Sequence, residues 1–196
     1  MGDMKAFERE CEAFFRPLWP GEDKILVFGD GNSDHPPIML IGEAPGEQET
    51  LKRRPFVGKA GKNLDEFLDL MGMERETLYV SNVVKIRPTS LGKTGRVRNR
   101  APSKEEIALF LPFLMKEIDL VKPQSIVTLG NVPLKALMGP KATVGELHGR
   151  WHTASNGLPL FALYHPAAII YRRELKEVYA QDVLALKASL TIETSK

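Results

Sequence analysis

The chain has 196 residues, enough for one compact domain with a sizeable core, and 43% hydrophobic with 27% charged residues is ordinary for a globular protein. No apolar run reaches membrane-spanning length, and the N-terminus carries early acidic residues, so neither a membrane span nor a signal peptide is expected. The single cysteine, Cys11, excludes an internal disulfide and any all-cysteine metal site within this chain. We expect one domain over residues 1–196, monomeric and cytoplasmic.

The formal net charge of +2 is small, but its distribution is uneven. Residues 85–104 contain seven basic side chains and no acidic one, and residues 52–62 hold a second basic group. Two basic loops on a nearly neutral protein favour a localised contact with a polyanion, although a solvated loop with incidental charge is the alternative.

Apolar runs predict strands at 38–41, 78–84, 125–129 and 160–164. Helical patterns lie between and after them: 64–71, 103–121 with a capping box from Ser103 and Glu106, 131–138 with Asn131 as its cap, and about 174–190. Strands alternating with helices predict an α/β fold with a parallel sheet covered on both faces. Residues 89–102 are predicted as one long loop.

The glycine-rich stretch 42–64 leaves the first predicted strand at its carboxyl end, where open α/β sheets build their ligand sites. Glu43, the Gly130–Asn131 pair and His165 follow predicted parallel strands, and Asn82 lies near the end of another. A carboxylate, a carboxamide and an imidazole should therefore meet at one edge of the sheet.

Four ordered motifs, GEAPG, PFVGKAG, SNVVK-x-RP and LYHPAAII, resemble those of the family 4 uracil-DNA glycosylases. The likeness extends from about residue 11 to residue 188. It implies a three-layer α/β/α sandwich with a central four-stranded parallel sheet. It also implies an enzyme that flips uracil out of DNA and hydrolyses the bond between base and deoxyribose with water, leaving an abasic site.

The resemblance assigns the base pocket residue by residue. Phe56 matches the position that stacks on uracil, and Asn82 matches the amide that reads the uracil edge and disfavours cytosine. Backbone amides from Gly42 to Ala44 are candidates for binding a base oxygen. Without the motifs, a core phenylalanine and a strand-ending asparagine are the ordinary alternatives.

Two side chains match catalytic positions in that family. His165, in the His-Pro motif, would donate a hydrogen bond to the uracil oxygen as negative charge develops there. Glu43 would orient or deprotonate the attacking water, or support an oxocarbenium-like sugar, unless it only anchors its loop.

Further residues are candidates for contacting DNA. The loop after His165 offers an apolar wedge and a phosphate ligand, and the two basic loops offer close approach to the backbone. The predicted DNA-binding residues are Gly58, Lys59, Gly61, Lys85, Arg87, Arg96, Arg98, Arg100, Ile170, Tyr171 and Arg172.

The chain departs from the family at two places. Family 4 members typically hold an iron–sulfur cluster on four cysteines, but here Cys11 is followed by Phe14, Ile86 and Phe110 at the other ligand positions, so no cluster or metal is expected. Some relatives trap uracil-DNA covalently through a histidine in the basic loop. Asn99 stands at that position, so trapping is not expected.

The sequence is also compatible with other functions. The chain could recognise uracil or damaged DNA without turnover, or act on another deaminated base such as hypoxanthine or xanthine. A generic nucleotide-binding protein is disfavoured, because the glycine-rich loop lacks both the P-loop and the GxGxxG patterns.

Overall fold

The computed structural model describes residues 3–22, 24–165, 168 and 174–193. The helices are α1 (Met4–Phe15), α2 (Glu47–Lys52), α3 (Lys59–Met71), α4 (Lys104–Val121), α5 (Asn131–Met138), α6 (Val144–Leu147) and α7 (Leu175–Glu193). The strands are β1 (Asp30–Gly31), β2 (Ile38–Gly42), β3 (Tyr79–Asn82), β4 (Thr89–Leu91), β5 (Val97–Asn99), β6 (Ser125–Leu129), β7 (Trp151–Thr153) and β8 (Pro159–Leu163).

The main sheet has the strand order β1-β3-β2-β6-β8-β7. The four central strands are parallel, as the sequence predicts, and they coincide closely with the four apolar runs. Two short strands, β1 and β7, extend the sheet at its edges by antiparallel pairing. Their two and three residues carry too little periodicity to be recognised as strands from the sequence.

Each face of the sheet carries its own apolar core. Along β2, Met39 and Ile41 face a core built with α1, α4 and α5, whereas Ile38 and Leu40 face one built with α3 and α7. Alternate side chains of a strand point to opposite faces, so burial of every residue in β2 requires helices on both sides. The predicted three-layer arrangement is confirmed.

Two predicted loops contain regular structure. The glycine-rich stretch includes α2, and α3 begins at Lys59 rather than near residue 64. Residues 89–102, predicted as a loop, form a β4–β5 hairpin whose turn closes through a bond from Gly92 N to Arg96 O (2.8 Å). Asn131 does not cap α5 as predicted, because Gly130 takes that position and Asn131 Oδ1 instead accepts from Val144 N (2.8 Å).

Lys85 corrects a sequence prediction, because it lies inside the protein and cannot contact DNA. Its side chain is 0% exposed, and Nζ donates to Glu117 Oε2 (2.6 Å), Ser81 Oγ (2.7 Å) and the Asn82 carbonyl oxygen (2.7 Å). Glu117 also accepts from Ser81 Oγ and from Tyr79 Oη. This buried network ties α4 to the carboxyl end of β3.

Lys85→Met should lower the free energy of unfolding by about 3–5 kcal/mol, because it leaves the Glu117 carboxylate buried without a counter-charge. Lys85→Met/Glu117→Leu removes both charges and should recover a large part of that loss. Urea denaturation measures the free energy of unfolding of both variants. Lys116→Met is the control, because Lys116 is an exposed lysine on α4, the helix that carries Glu117. A double variant as unstable as the single one would contradict this account.

Candidate active site

A cavity of about 410 Å³ opens at the carboxyl edge of the parallel strands. Residues that follow β2 and β8 converge there with the last residue of β3, the segments around α2 and the end of the β4–β5 hairpin. Its lining residues are Glu43, Ala44, Gly46, Glu47, Gln48, Glu49, Phe56, Gly58, Asn82, Asn99 and His165. The structure thus brings together the four side chains that the sequence singles out for chemistry: Glu43, Phe56, Asn82 and His165.

Gly42 lets two walls of this cavity meet. It is the register partner of Asn82 in the β2–β3 pair. A Cβ atom on Gly42 would lie 2.5 Å from Asn82 Oδ1 and 2.6 Å from Phe56 Cζ, closer than real Cβ contacts allow. Only glycine therefore permits the amide and the ring to approach each other here.

Phe56 is 5% exposed and has a left-handed backbone, with φ of 54°. A non-glycine residue in this region is strained and persists only where its surroundings hold it. Arg75 supplies that support, since Nη2 donates to the Pro55 carbonyl (2.7 Å) and Nη1 to the Phe56 carbonyl (3.2 Å). Asp30 in turn accepts from Arg75 Nη2 (3.1 Å), which fixes the guanidinium.

Glu49 joins the two loops of the glycine-rich stretch. Its carboxylate accepts hydrogen bonds from the backbone amides of Gly46 (3.2 Å), Val57 (3.0 Å) and Gly58 (2.6 Å). The side chain is buried, so these bonds replace the water that a carboxylate would otherwise bind. Glu49 is not among the residues predicted from the sequence, although its position three residues after Gly46, as in a capping box, is a signal for this role.

Glu43 and His165 lie at the same edge, and burial shifts the pKa of both. Desolvation raises the pKa of the Glu43 carboxyl and lowers the pKa of the His165 imidazole. The carboxyl is thereby made more basic, and the neutral form of the imidazole is favoured. Gly130, with φ of 87°, packs against His165, because a Cβ there would lie 3.0 Å from His165 Cβ.

Gly130 and Asn131, the remaining residues predicted at this edge, line a neighbouring cavity of about 320 Å³. Glu43 and His165 border this second cavity as well. The two candidate catalytic side chains thus stand between two open spaces, either of which can admit water.

Asn99 lines the main cavity and is oriented by a cation. Arg87 Nε donates to Asn99 Oδ1 (2.7 Å), while Arg87 Nη1 reaches Glu47 Oε1 (3.3 Å). The amide oxygen is therefore occupied, and Asn99 Nδ2 is turned toward the glycine-rich loop, 3.4 Å from where a Cβ on Gly46 would stand. Arg87, predicted to bind DNA, here holds a pocket residue.

The other predicted DNA contacts differ in their surroundings. Arg96 and Arg98 are exposed on the hairpin, whereas Arg100 is paired with Glu106 through both Nη atoms (2.6 and 2.8 Å). The smallness of Gly61 serves packing, because a Cβ there would lie 2.6 Å from the Phe56 carbonyl oxygen.

The helix start and the loop after His165 hold the remaining candidates. The N–H of Gly58 is already bound to Glu49, and Lys59 begins α3 directly after it. Ile170, Tyr171 and Arg172, predicted as wedge and phosphate ligand, lie outside the described residues.

The region of the family's cluster does not fit an iron–sulfur group in this chain. Cys11 is fully buried, and desolvation raises the pKa of its thiol to about 12, which disfavours the thiolate that ligates metal. Phe110 is buried and stacks on Phe15 with ring centroids 4.3 Å apart, and Ile86 belongs to the same apolar core. Within the described residues, no group of three or more His, Cys, Asp or Glu side chains is placed to hold a metal ion.

The chain resembles known proteins in both sequence and fold. A family model described as the uracil DNA glycosylase superfamily matches residues 28–186. The chain is 34% identical over 191 residues to a type-4 uracil-DNA glycosylase of Saccharolobus solfataricus, covering 93% of this chain and 83% of that protein. It is also 34% identical over 188 residues to a type-4 uracil-DNA glycosylase of Thermotoga maritima, covering 94% and 92%.

Among solved structures, wild-type SMUG2 of Pedobacter heparinus matches with a TM-score of 0.56 and 12% identity, covering 98% of this chain and 85% of that one. At this identity the likeness supports the fold alone. Over the residues that the structure describes, no helix is both long and apolar enough to cross a membrane.

Proposed function

Because the chain belongs to the uracil-DNA glycosylase superfamily, we propose that it removes uracil from DNA by hydrolysing the N-glycosidic bond and leaves an abasic site. The observation that carries the proposal is the convergence of Glu43, Phe56, Asn82 and His165 on one cavity. The bond is unreachable inside a duplex, so the enzyme flips the nucleotide into this cavity before the chemistry starts.

Phe56 and Asn82 form the base-binding part of the site. The Phe56 ring offers an apolar face for stacking, and its backbone is fixed by Arg75 and Glu49 rather than free to adjust. The Asn82 amide can donate to a uracil oxygen and accept from the ring N–H, whereas cytosine presents the opposite pattern on that edge. Cytosine would leave the hydrogen-bonding groups of the Asn82 amide unpaired, and this cost is what discriminates uracil from cytosine.

His165 acts as a neutral hydrogen-bond donor. As the bond from C1′ to N1 breaks, the electron pair leaves with the base and negative charge spreads onto its oxygens. A neutral imidazole N–H aimed at such an oxygen stabilises that charge without transferring its proton. The lowered pKa of His165 supports this role, because burial favours the uncharged form of the imidazole.

Glu43 acts on the water. The water oxygen forms the new bond to C1′, and its proton passes to the Glu43 carboxylate. Burial raises the pKa of this carboxyl and so brings its proton affinity closer to that needed at neutral pH. The same negative charge stabilises positive charge that develops on the sugar ring.

DNA is held outside the cavity by cationic side chains. Arg96 and Arg98, both exposed, are the arginines that we assign to phosphate contacts, and Lys59 at the start of α3 is a further candidate. Ile170, Tyr171 and Arg172 keep their sequence-based roles as wedge and phosphate ligand. Monomeric state and cytoplasmic location also stay predictions from the sequence.

We further infer that the protein works without an iron–sulfur cluster, supported by the aromatic packing of Phe110 on Phe15 and by the single cysteine. Purified protein should contain no iron or acid-labile sulfide and should keep full activity after treatment with a chelator. Iron in stoichiometric amount would overturn this inference while leaving the proposed reaction intact.

Wild-type protein should release uracil from a uracil-containing oligonucleotide, and His165→Ala should reduce kcat by about 10²–10³-fold, because the developing charge loses a donor. Asn82→Ala should reduce kcat/KM by a similar or larger factor, since it removes base recognition. His35→Ala, an exposed histidine bonded to Asp34, is the matched control and should retain activity.

Base release from single- and double-stranded substrates measures this reaction, with hypoxanthine and xanthine substrates in parallel. Binding of uracil-containing DNA without release of the base would favour a protein that recognises uracil without turnover. Faster release of hypoxanthine or xanthine than of uracil would assign the enzyme to that other base. No release from any substrate would overturn the enzymatic proposal.

The pH profile should report the state of Glu43. Water activation needs the carboxylate, so kcat should fall as the pH decreases through a pKa above the ordinary glutamate value of about 4.3. Glu43→Gln should lower kcat and abolish this acidic limb. Single-turnover rates measured across the acid range test the assignment, and a limb that persists in Glu43→Gln would assign it to another group.

A further inference from the structure

The β4–β5 hairpin stands apart from the main sheet. Its two strands pair with each other and form a separate two-stranded sheet. Its base is fixed to the body by Arg100, which donates to Glu106 and to the Thr89 carbonyl, and by the bond from Arg87 to Asn99. These bonds fix the direction of the hairpin, and the exposed residues of its turn leave the tip open to a partner.

One face of this hairpin is continuous with the pocket. Thr89 pairs with Asn99, and Leu91 pairs with Val97, so alternation along the strands puts these four side chains on the same face. Ser90 and Arg98 form the intervening pair and belong to the opposite face. Because Asn99 lines the cavity, the face that carries Leu91 and Val97 is the one that continues outward from the cavity wall.

This cross-strand pair is unusually open to solvent. Leu91 is 76% exposed and Val97 is 54% exposed. Two-stranded hairpins are marginally stable in water, and an apolar pair left open to solvent stabilises one less than a pair that another surface covers. Scattered exposed apolar residues are ordinary, but here two lie directly opposite each other beside the candidate active site.

Exposed cationic side chains surround the Leu91–Val97 pair and favour an anionic partner. Lys93 and Arg96 in the turn and Arg98 on β5 are exposed, and residues 85–104 contain no acidic side chain. An apolar pair flanked by cations complements nucleic acid, which has anionic phosphates outside and apolar sugar and base surfaces within the groove. Continuity with the pocket favours the DNA that already carries the substrate over a protein partner.

We propose that the hairpin binds DNA through its apolar pair as well as through its cations: Leu91 and Val97 pack against sugars and bases beside the flipped nucleotide, while Lys93 and Arg96 contact phosphates. The proposal deepens the proposed function and rests on it for the identity of the ligand. Val97 is two residues from Asn99, or about 7 Å along a strand. With about 3.4 Å per nucleotide, the apolar contact falls about two nucleotides from the uracil.

Salt dependence separates the two parts of this contact. Leu91→Ser/Val97→Ser should weaken binding several-fold, without changing the slope of log K against log salt concentration, because no phosphate contact is lost. Lys93→Ala/Arg96→Ala should reduce that slope by roughly 1.8 on duplex DNA, at about 0.9 for each phosphate contact. Fluorescence anisotropy with an oligonucleotide carrying an abasic site measures binding without turnover.

Leu18→Ser/Leu184→Ser, two exposed leucines outside the hairpin, is the matched control and should bind as the wild type does. Inhibition by free uracil should be unchanged in all hairpin variants, since that ligand fills only the pocket. An apolar double variant with wild-type DNA affinity would overturn the proposal.

Sedimentation and base release complete the test. A wild-type dimer that the apolar double variant dissociates would overturn the proposal, by assigning the face to a second copy of the chain. Wild-type protein that binds DNA through the hairpin but releases no base would refute the proposed reaction and leave the hairpin contact standing.

Discussion

The parallel register of β2 and β3 is the constraint on which the site depends. It sets Gly42 opposite Asn82, and two further bonds, from Val83 N to the Gly42 carbonyl and from Val84 N to the Glu43 carbonyl, continue the pairing into the following loops. A slip of one residue would turn every side chain of the strand to the opposite face of the sheet. Asn82 would then point away from the cavity, and Glu43 would move away from the sheet edge. Since β2 is buried on both sides, such a slip would also break both cores, so the register is strongly specified.

Two buried carboxylates, Glu117 and Glu49, fix the segments at the carboxyl ends of β2 and β3. Glu117 lies behind β3 and fixes the Asn82 carbonyl through Lys85, whereas Glu49 lies in front and fixes the loop that carries Phe56. Glu117 is neutralised by a lysine, but Glu49 is satisfied by three backbone amides. Because a buried carboxylate that loses its partners is costly, both loops are locked to geometries that keep every bond. The base-binding groups are therefore rigid before DNA arrives.

The sequence predicted the parts of this site that depend on local pattern. The strand runs, the capping box of Ser103 and Glu106 and the meeting of strand-end residues at one sheet edge follow from periodicity and spacing, whereas the role of Phe56 follows from the family resemblance. Long-range pairings left no such pattern. Lys85 looked like one cation of a basic loop, because its partner Glu117 is 32 positions away, and Arg75 meets Phe56 only after folding. The sequence predicts a loop where the hairpin lies, because the two strands are short and exposed and so have no alternation of buried and exposed residues.

The same reasoning explains how the pocket can persist with one cysteine. The segment after Asn82 runs through Lys85 to Ile86, one of the positions where the family places a cluster ligand. In this chain Lys85 fixes the segment by hydrogen bonds, and Ile86 is buried in the core that contains Phe110 and Cys11. Close packing of apolar side chains resists displacement much as ligand bonds would, since interiors are packed to crystal density. What positions Asn82 is a fixed backbone behind it, and burial together with the Lys85–Glu117 ion pair supplies that support from the chain's own side chains.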